Sequence, residues 1–453
     1  MTTGVHNFTE GKIIAPLLEF TLPILFAVFL QAMYGAVDLA VVGWFASTAD
    51  VSAVSAGSQI MQTITIVITG LAMGTTVMLG KKIGQGRERE AGDVIGGSVC
   101  LFAVTALIVT FVMLLATPAI TRIMQAPPEA FGKTVAYVRI CSAGTVFIVA
   151  YNLLGSVFRG LGDSKTPLLA VGIACVCNIF GDVLFVAGFG LAAGGAALAT
   201  VISQAISVLL CLWIVKRRGL PFAFERKNVR FHSKIIAAVL HIGTPIALQD
   251  TLVSFSFLVI LAIVNSLGVV ASAGVGVAER LCGFIMLLPS AFAQSLSAFV
   301  AQNIGAGRYR RARLAMFCGM ATSFCLAVFL AWLSFFHGEA LAAVFAKGNG
   351  AVMAAGADYL KAYAIDTMFV SFLFCFLGYF NGCGRTRFVM FQGIAGAFGV
   401  RIPVSWFMSR QTPVSLFHVG LATPCSTLLQ IALCLAYFVH LQYKLRDNGG
   451  KFL

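Results

Sequence analysis

The fold class of this chain is decided by residues 17–44, which read LLEFTLPILFAVFLQAMYGAVDLAVVGW. Apolar side chains dominate the stretch, and about 20 such residues suffice for a helix to cross a bilayer. The run is too long for the apolar core of a cleavable signal, so we expect a retained membrane-spanning helix. Eleven further apolar runs predict spans near residues 52–80, 92–118, 134–157, 167–188, 193–215, 236–267, 272–303, 314–336, 351–377, 388–408 and 416–441.

The composition indicates a membrane protein along the whole length of the chain. Of the 453 residues, 59% are hydrophobic and only 11% are charged, and the mean hydropathy is +0.94. Soluble domains are about a quarter charged and under half apolar, so this composition excludes a soluble enzyme, a disordered chain and a repeat solenoid. We predict an all-α integral membrane protein with twelve transmembrane helices. The cysteines and histidines are dispersed without metal-ligand spacing, so we expect no cofactor and no zinc site.

Basic residues are distributed unequally between the two sides of the predicted membrane. Twenty-three of the 31 lysines and arginines fall on the side that holds both termini, and six fall on the opposite side. Because cytoplasmic loops are enriched in basic residues, we predict that both termini are cytoplasmic. The net charge of +14 then follows from membrane topology and requires no nucleic-acid partner.

The sequence contains an internal repeat. Residues 83–87 (Ile-Gly-Gln-Gly-Arg) recur as residues 304–308 (Ile-Gly-Ala-Gly-Arg) at an offset of 221, and residues 160–162 recur as 382–384 at an offset of 222. Pro23 and Pro245 are likewise 222 residues apart. We therefore predict two six-helix lobes, residues 1–215 and 236–453, joined by a basic cytoplasmic linker at 216–235. An even number of spans per lobe gives a pseudo-two-fold axis along the membrane normal, which is typical of transporters that alternate access between halves.

Four carboxylates lie inside predicted spans, where an ionisable residue costs at least a few kcal/mol and marks a functional site. Two of them, Asp38 and Asp182, belong to the N-terminal half, and both sit roughly 9 Å below the outer ends of their spans at about 1.5 Å per residue. We expect these two acids to converge on a cation. Asn178 and Thr200 would add oxygen ligands for sodium, whereas a carboxylate alone suffices for a proton.

The C-terminal half carries the other two acids. Asp366 shares a helical face with Tyr359 and Tyr363 and is placed to receive a cation or a cationic substrate. Asp250 lies nearer the cytoplasmic side of its span, and the adjacent Glu279 and Arg280 are predicted to form a local or interhelical ion pair. Candidates for a substrate or secondary cation site are therefore Gln31 and Tyr34, which share the Asp38 face, and Asp250, Arg280, Tyr363 and Asp366. Pro23 and Pro245 are expected to bend their helices.

These features together resemble the multidrug and toxic compound extrusion (MATE) family over essentially the whole chain. The more specific elements are Pro23, the glycine-rich loops at 84–87 and 305–308, and residues 178–182 (Asn-Ile-Phe-Gly-Asp). The resemblance implies an N-lobe cation site at Asp38, Asn178, Asp182 and Thr200, with nearby polar positions at Tyr34, Tyr137 and Asn152. The Asp38/Asp182 pair and Arg280 resemble the DNA-damage-inducible branch of the family. Asp366, and Asp250 in place of a glutamate, resemble the NorM-type branch, so the coupling ion stays open.

The resemblance implies export of organic cations and drugs in exchange for Na⁺ or H⁺ across the inner membrane of a bacterium or archaeon. In this hypothesis, a cation bound at Asp38 and Asp182 alters the bend of the first span and lowers the affinity for drug. No enzymatic motif is present, and the two repeated lobes make a working monomer sufficient. Two alternatives stay open. A lipid-linked oligosaccharide flippase of the same superfamily would favour a cationic cavity, and a membrane-embedded transferase would need paired acidic metal motifs or a His–acid pair.

Overall fold

The computed structural model describes residues 8–222, 224–346 and 349–447, which are helical and contain no strand. The helices of the first half are α1 (Ile14–Phe45), α2 (Thr48–Gly84), α3 (Glu88–Ile123), α4 (Pro128–Ala143), α5 (Thr145–Leu161), α6 (Lys165–Asp182) and α7 (Ala192–Arg218). A π-helical segment, Val183–Gly188, directly continues α6.

The second half follows a short 3₁₀ turn at Arg226–Asn228. Its helices are α8 (Ser233–Asn265), α9 (Val269–Ile285), α10 (Leu287–Gly305), α11 (Tyr309–Phe336), α12 (Gly338–Ala343), α13 (Gly350–Cys383), α14 (Thr386–Gly396), α15 (Ile402–Ser409), α16 (Leu416–Gly420) and α17 (Ala422–Asp447). A second π-helical segment, Ala397–Arg401, joins α14 to α15.

The prediction of a polytopic helical membrane protein is confirmed. Within the described ranges, eleven helical stretches are long and apolar enough to span a membrane, and the count is twelve if α4 and α5 together form one span. The sequence predicted one span at 134–157, whereas α4 and α5 meet there at a bend of 49°. The break lies at Gly144, where a Cβ atom would run into the Val201 side chain, so the missing side chain permits close packing at the bend.

The chain divides into two compact units. Described residues 19–247 form the first unit, and residues 8–18 together with residues from 248 onward form the second. The division therefore falls inside α1 and α8, whereas the sequence assigned residues 236–247 to the C-terminal lobe. The start of α8 groups with the first unit because glycines let it touch α2 closely, and a Cβ on Gly70 would lie 2.6 Å from the Cα of Ala247. Lobe boundaries at 215 and 236 stay a prediction.

Each half repeats the same local backbone at its internally repeated motifs. Gly86 and Gly307 have positive φ angles of 67° and 71°, and the glycines that cap α5 and α13, Gly162 and Gly384, have φ of 86° and 81°. L-residues with side chains rarely adopt this left-handed conformation, whereas glycine does so without steric cost. The repeated glycines in the sequence are thus explained by repeated helix ends.

Close packing of α6 on α7 shapes the interior of the first unit. A Cβ on Gly181 would lie 3.0 Å from the Cβ of Ala199, and a Cβ on Gly195 would lie 2.9 Å from the backbone of Phe185. Small residues at such crossings let membrane helices approach each other closely. The approach brings Thr200, the neighbour of Ala199, towards the end of α6, where Asp182 lies.

Candidate functional site

The four residues predicted for the cation site come together inside the first unit. Asp38 on α1 accepts a hydrogen bond of 3.0 Å from the hydroxyl of Thr200 on α7. Asp182 and Asn178, both on α6, lie against the Asp38 carboxyl. Asp38 is 2% exposed, and Asn178 and Asp182 are fully buried. Helix α1 and the consecutive helices α6 and α7 therefore deliver these side chains to one buried position.

Most polar atoms of this cluster have no hydrogen-bond partner. The unpartnered atoms are one carboxylate oxygen of Asp38, both carboxylate oxygens of Asp182, and the side-chain oxygen and nitrogen of Asn178. No lysine, arginine or histidine in the described part of the chain forms an ion pair with either carboxylate. Burying two uncompensated negative charges costs several kcal/mol per ion, so the arrangement calls for a proton or a cation. Hard cations prefer oxygen ligands, which the cluster supplies.

Tyr137 and Cys141 of α4 border the two carboxyls. The Tyr137 ring is 2% exposed and packs directly against Gly57 of α2, where a Cβ atom would overlap the ring. Cys141 lies beside both Tyr137 and Asp38. The resemblance implied a position for Tyr137 near the cation site, and the geometry agrees with that position. Cys141, which the sequence reading treated only as a small hydrophobe, also belongs to the surroundings of the site.

Three other predicted residues of this unit contact neighbouring helices. The Tyr34 hydroxyl donates to the Val171 carbonyl on α6 at 3.0 Å, and Gln31 faces Tyr151 on α5. The Asn152 amide accepts from Thr69 at 2.9 Å and donates to the Ile148 carbonyl at 2.8 Å. Gln31, Tyr34 and Asp38 therefore share one face of α1, as their spacing predicted, and the structure shows that this face meets α5–α7. The donor groups of Tyr34 and Asn152 are already engaged.

A break in regular helix geometry adjoins the cation cluster. Asp182 is the last residue of α6, and the π-helical segment begins at Val183. Segments of this kind are rare and frequently occur at functional sites, because the widened turn redirects side chains and frees backbone groups. The sequence offered no periodicity signal for the π segment, although Gly181, just before it, and Gly188, its last residue, are conformationally permissive.

The second unit contains its own buried polar cluster around Asp366. The Asp366 side chain on α13 is 1% exposed and lies near Thr427 of α17 and Arg401. Arg401 ends the second π segment, donates to the Ser256 hydroxyl at 3.0 Å, and stacks over the Phe257 ring at 4.4 Å. One oxygen of Asp366 and Nε of Arg401 have no partner. The sequence placed Arg401 in a span without giving it a role, although the rule that selected the acids applies to it equally.

The remaining predicted residues of the second unit differ in their relation to this cluster, because Tyr363 lies beside Asp366 and Arg401, whereas no described interaction joins Arg280 or Asp250 to either. No ion pair links Glu279 to Arg280 within the described ranges, because consecutive helix positions point in directions about 100° apart. Arg280 is exposed, whereas Glu279 turns inward towards Cys282 and Tyr359. Tyr363 is buried beside Tyr359 at a ring distance of 5.8 Å. Asp250 is half-buried in α8, and no described hydrogen bond connects its side chain to Asp366.

Neither proline interrupts its helix. α1 continues through Pro23, and α8 continues through Pro245. Because proline removes one backbone hydrogen bond, each position is a point at which the helix can bend. The bends themselves stay predictions.

Among the described residues, a helical fold with eleven or twelve candidate spans and buried carboxylates inside them is typical of a polytopic membrane transporter. Residues 23–184 and again residues 245–407 match the model of the MatE family, and the two matches begin 222 residues apart. Since these matches cover more than half of the chain, the protein belongs to the MatE family, as the sequence resemblance suggested. The internal repeat found in the sequence has the same spacing.

Similar proteins cover between about two thirds of the chain and nearly all of it. It is 26% identical over 405 residues to the probable multidrug resistance protein YpnP of Bacillus subtilis strain 168, covering 89% of this chain and 90% of that protein. It is also 26% identical over 326 residues to an FAD transporter of Shewanella oneidensis, covering 69% and 70% of the two chains. A solved outward-facing multidrug resistance MATE family transporter shares the fold, with a TM-score of 0.89, 19% identity, and coverage of 97% and 98%.

Proposed function

We propose that the protein is a cation-coupled antiporter that exports organic cations by alternating access, with its coupling-ion site at Asp38, Asn178, Asp182 and Thr200. One observation carries the proposal: two buried carboxylates lie against each other, three of their oxygens have no hydrogen-bond partner, and no cationic side chain of the described residues pairs with either. The name of the Bacillus subtilis relative supports a drug-like substrate. The excess of acids over bases inside the spans favours a cationic one.

The site has the means to couple ion binding to helix movement. Asp38 belongs to α1, Asp182 to α6 and Thr200 to α7. A bound ion neutralises the mutual repulsion of the carboxylates and holds these helices together, whereas its departure leaves repulsion that favours separation. Coupling requires that the ion and the substrate stabilise different states of the transporter. Because Pro23 allows α1 to bend, α1 is the helix best placed to respond to the ion.

Either Na⁺ or H⁺ fits the donor set. Sodium would take oxygens from Asp38, Asp182, Asn178 and the Thr200 hydroxyl, whereas a single proton would be shared between the two carboxyls. We place the protein in the inner membrane with both termini in the cytoplasm, on the basis of its basic-residue distribution. We also propose that one chain is the working unit, because the repeat supplies both halves.

The test is ethidium efflux from proteoliposomes under separately imposed sodium and proton gradients, for the wild type, Asp38→Asn and Asp182→Asn. We expect gradient-driven efflux by the wild type and its loss in both variants. Asp163→Asn is the matched control because Asp163 is 7% exposed in the same unit and accepts three local hydrogen bonds from residues 165 and 166. Ethidium efflux by Asp38→Asn that still depends fully on the imposed ion gradient would contradict the site assignment.

Direct ion binding is measured by thermal unfolding of the detergent-solubilised protein in sodium chloride and in choline chloride. A ligand that binds only the folded state raises its stability, so a sodium site gives a higher midpoint in sodium chloride. Asp182→Asn should abolish the difference and Asp163→Asn should retain it. If the unfolding midpoints in sodium chloride and choline chloride are equal and proton-driven efflux is intact, the coupling ion is H⁺.

A second substrate class, organic anions, is favoured by one specific observation. Arg401 is a buried guanidinium with an unpartnered Nε, and it lies 4.4 Å from an aromatic ring. The Shewanella relative is named as a transporter of FAD, which is an anion. The discriminating variant is Arg401→Gln. If organic anions are the substrate, this variant should abolish efflux of a fluorescent organic anion. If organic cations are the substrate, it should leave ethidium efflux near the wild-type rate.

A further inference from the structure

The described residues between α7 and α8, 219–222 and 224–232, are called the strap below, and they contact the first unit at several points. They connect two helices that are long and apolar enough to cross a membrane, so the strap lies at the membrane boundary. Phe222 is 8% exposed and belongs to the apolar core formed with residues of α2, α3 and α5. The strap therefore has one anchor inside the first unit.

Further anchors tie the strap to the start of α3. The Asn228 amide donates to the Asp93 carboxylate at 3.0 Å, and the His232 ring lies 3.4 Å from the same carboxylate. Gly96 leaves room for the Asn228 carbonyl, which a Cβ atom at that position would overlap. These contacts hold the strap against the membrane-boundary end of the unit and determine which of its side chains point away from the protein.

The outward side combines positive charge with exposed apolar groups. The exposed basic residues of the strap and the adjoining helix ends are Lys216, Arg217, Arg218, Lys227, Arg230 and Lys234. Phe231 is 72% exposed and Trp213 is 53% exposed, and the Arg217 guanidinium lies 5.2 Å from the Trp213 ring centre. These basic and apolar residues, together with Phe224, are called the strap surface below. Its one described counter-charge is Glu225, which pairs with Lys227 at 2.9 Å.

We propose that the strap surface binds the headgroups of anionic phospholipids in the membrane that the protein spans. Clusters of four to eight basic residues next to a transmembrane helix attract anionic lipid. Exposed tryptophan and phenylalanine side chains partition into the same interfacial layer. The anchors on α3 keep these residues at that depth without any rearrangement. The inference is independent of the coupling ion and of the exported substrate.

The test is quenching of tryptophan fluorescence by brominated lipids in reconstituted full-length protein. Trp44, Trp332 and one further tryptophan are replaced by phenylalanine, so that the single remaining tryptophan is Trp213 or Trp406. Trp406 in α15 is the matched control: it is 52% exposed and has Arg410 at 5.0 Å from its ring centre, but the described residues that follow α15 contain no comparable basic cluster. Each protein is placed in vesicles that contain brominated phosphatidylglycerol or brominated phosphatidylcholine.

We expect phosphatidylglycerol to quench Trp213 several-fold more effectively than phosphatidylcholine does, and we expect no such preference at Trp406. The triple variant Lys216→Gln/Arg218→Gln/Lys234→Gln keeps the stacked Arg217 and should lose the preference, as should the wild type in high salt. Retained efflux shows that the triple variant is folded.

Three results would overturn the proposal. The first is equal quenching of Trp213 by the two lipids, and the second is a preference that persists both in the triple variant and in high salt. The third is release of the lipid from the strap surface by added RNA at moderate salt, which would identify a soluble polyanion as the preferred occupant.

Discussion

Replacing Arg311 with alanine should loosen the attachment of residues 8–13, which precede α1. In the second unit, the Arg311 guanidinium donates to the carbonyls of Phe8, Glu10, Gly11 and Lys12, at 2.7, 2.7, 2.6 and 2.9 Å. A planar guanidinium with five fixed donors suits this set of acceptors, and no other side chain can satisfy four carbonyls in the same way. The segment therefore depends on one residue for much of its attachment.

The expected size of the effect follows from the number of bonds lost. Each is worth about 1 kcal/mol net at a partly exposed position, so the variant loses about 4 kcal/mol of local stability. Each 1.4 kcal/mol is a factor of ten, which predicts a local opening roughly 10³-fold more frequent. Phe8 still stacks on Phe299 at 4.8 Å, and Arg308 still pairs with Glu10 at 3.2 Å, so the segment does not detach completely.

Trypsin cleavage between Lys12 and Ile13, followed by intact mass measurement, reports this opening. Cleavage of a transiently opened segment tracks its open population when closing is faster than cutting. Arg310→Ala is the matched control. Arg310 directly precedes Arg311, its side chain is exposed, and no described contact involves that side chain. Equal cleavage rates after Lys12 in the wild type and in Arg311→Ala would refute the reasoning.

Two further predictions concern helix contacts in the first unit. Gly57→Ala should lower stability by about 1–3 kcal/mol and impair efflux, because its methyl group displaces the Tyr137 ring beside the carboxyl pair. Gly35→Ala is the thermal-unfolding control, since nothing lies within 4 Å of its added Cβ, and equal losses in the two variants would contradict the steric reasoning. Lys133→Met should cost about 1 kcal/mol by removing the 2.6 Å ion pair to Asp50, which is 4% exposed. The midpoints of thermal unfolding of the wild type and of Lys133→Met should lie closer together in high salt. A difference in midpoint that salt does not change would argue against an ion pair.

Much of the candidate site was predictable because membrane burial makes polar residues conspicuous. Asp38 and Asp182 stand out in apolar runs, and equal depth in their spans indicated that they could meet. Arg401 obeyed the same rule, because it too lies inside a predicted span, but the search for buried charges considered the acids first and gave it no role. The prediction of an ion pair between Glu279 and Arg280 was wrong for a different reason. Residues that are adjacent in the sequence do not face each other on the surface of a helix.

The sequence by itself determined the class of protein, the number of spans and the two-fold repeat. The length of an apolar run and the position of a glycine can be read from the local sequence. Within a bilayer, a helix is one of the few structures in which every backbone N–H and C=O group has a hydrogen-bond partner. Only the tertiary structure decided that Thr200 bonds Asp38, that the oxygens of Asp182 have no partner, and that residues 8–18 pack with the second unit. These facts depend on how helices distant in sequence pack together, and packing is set by many small contacts that no single stretch of sequence contains.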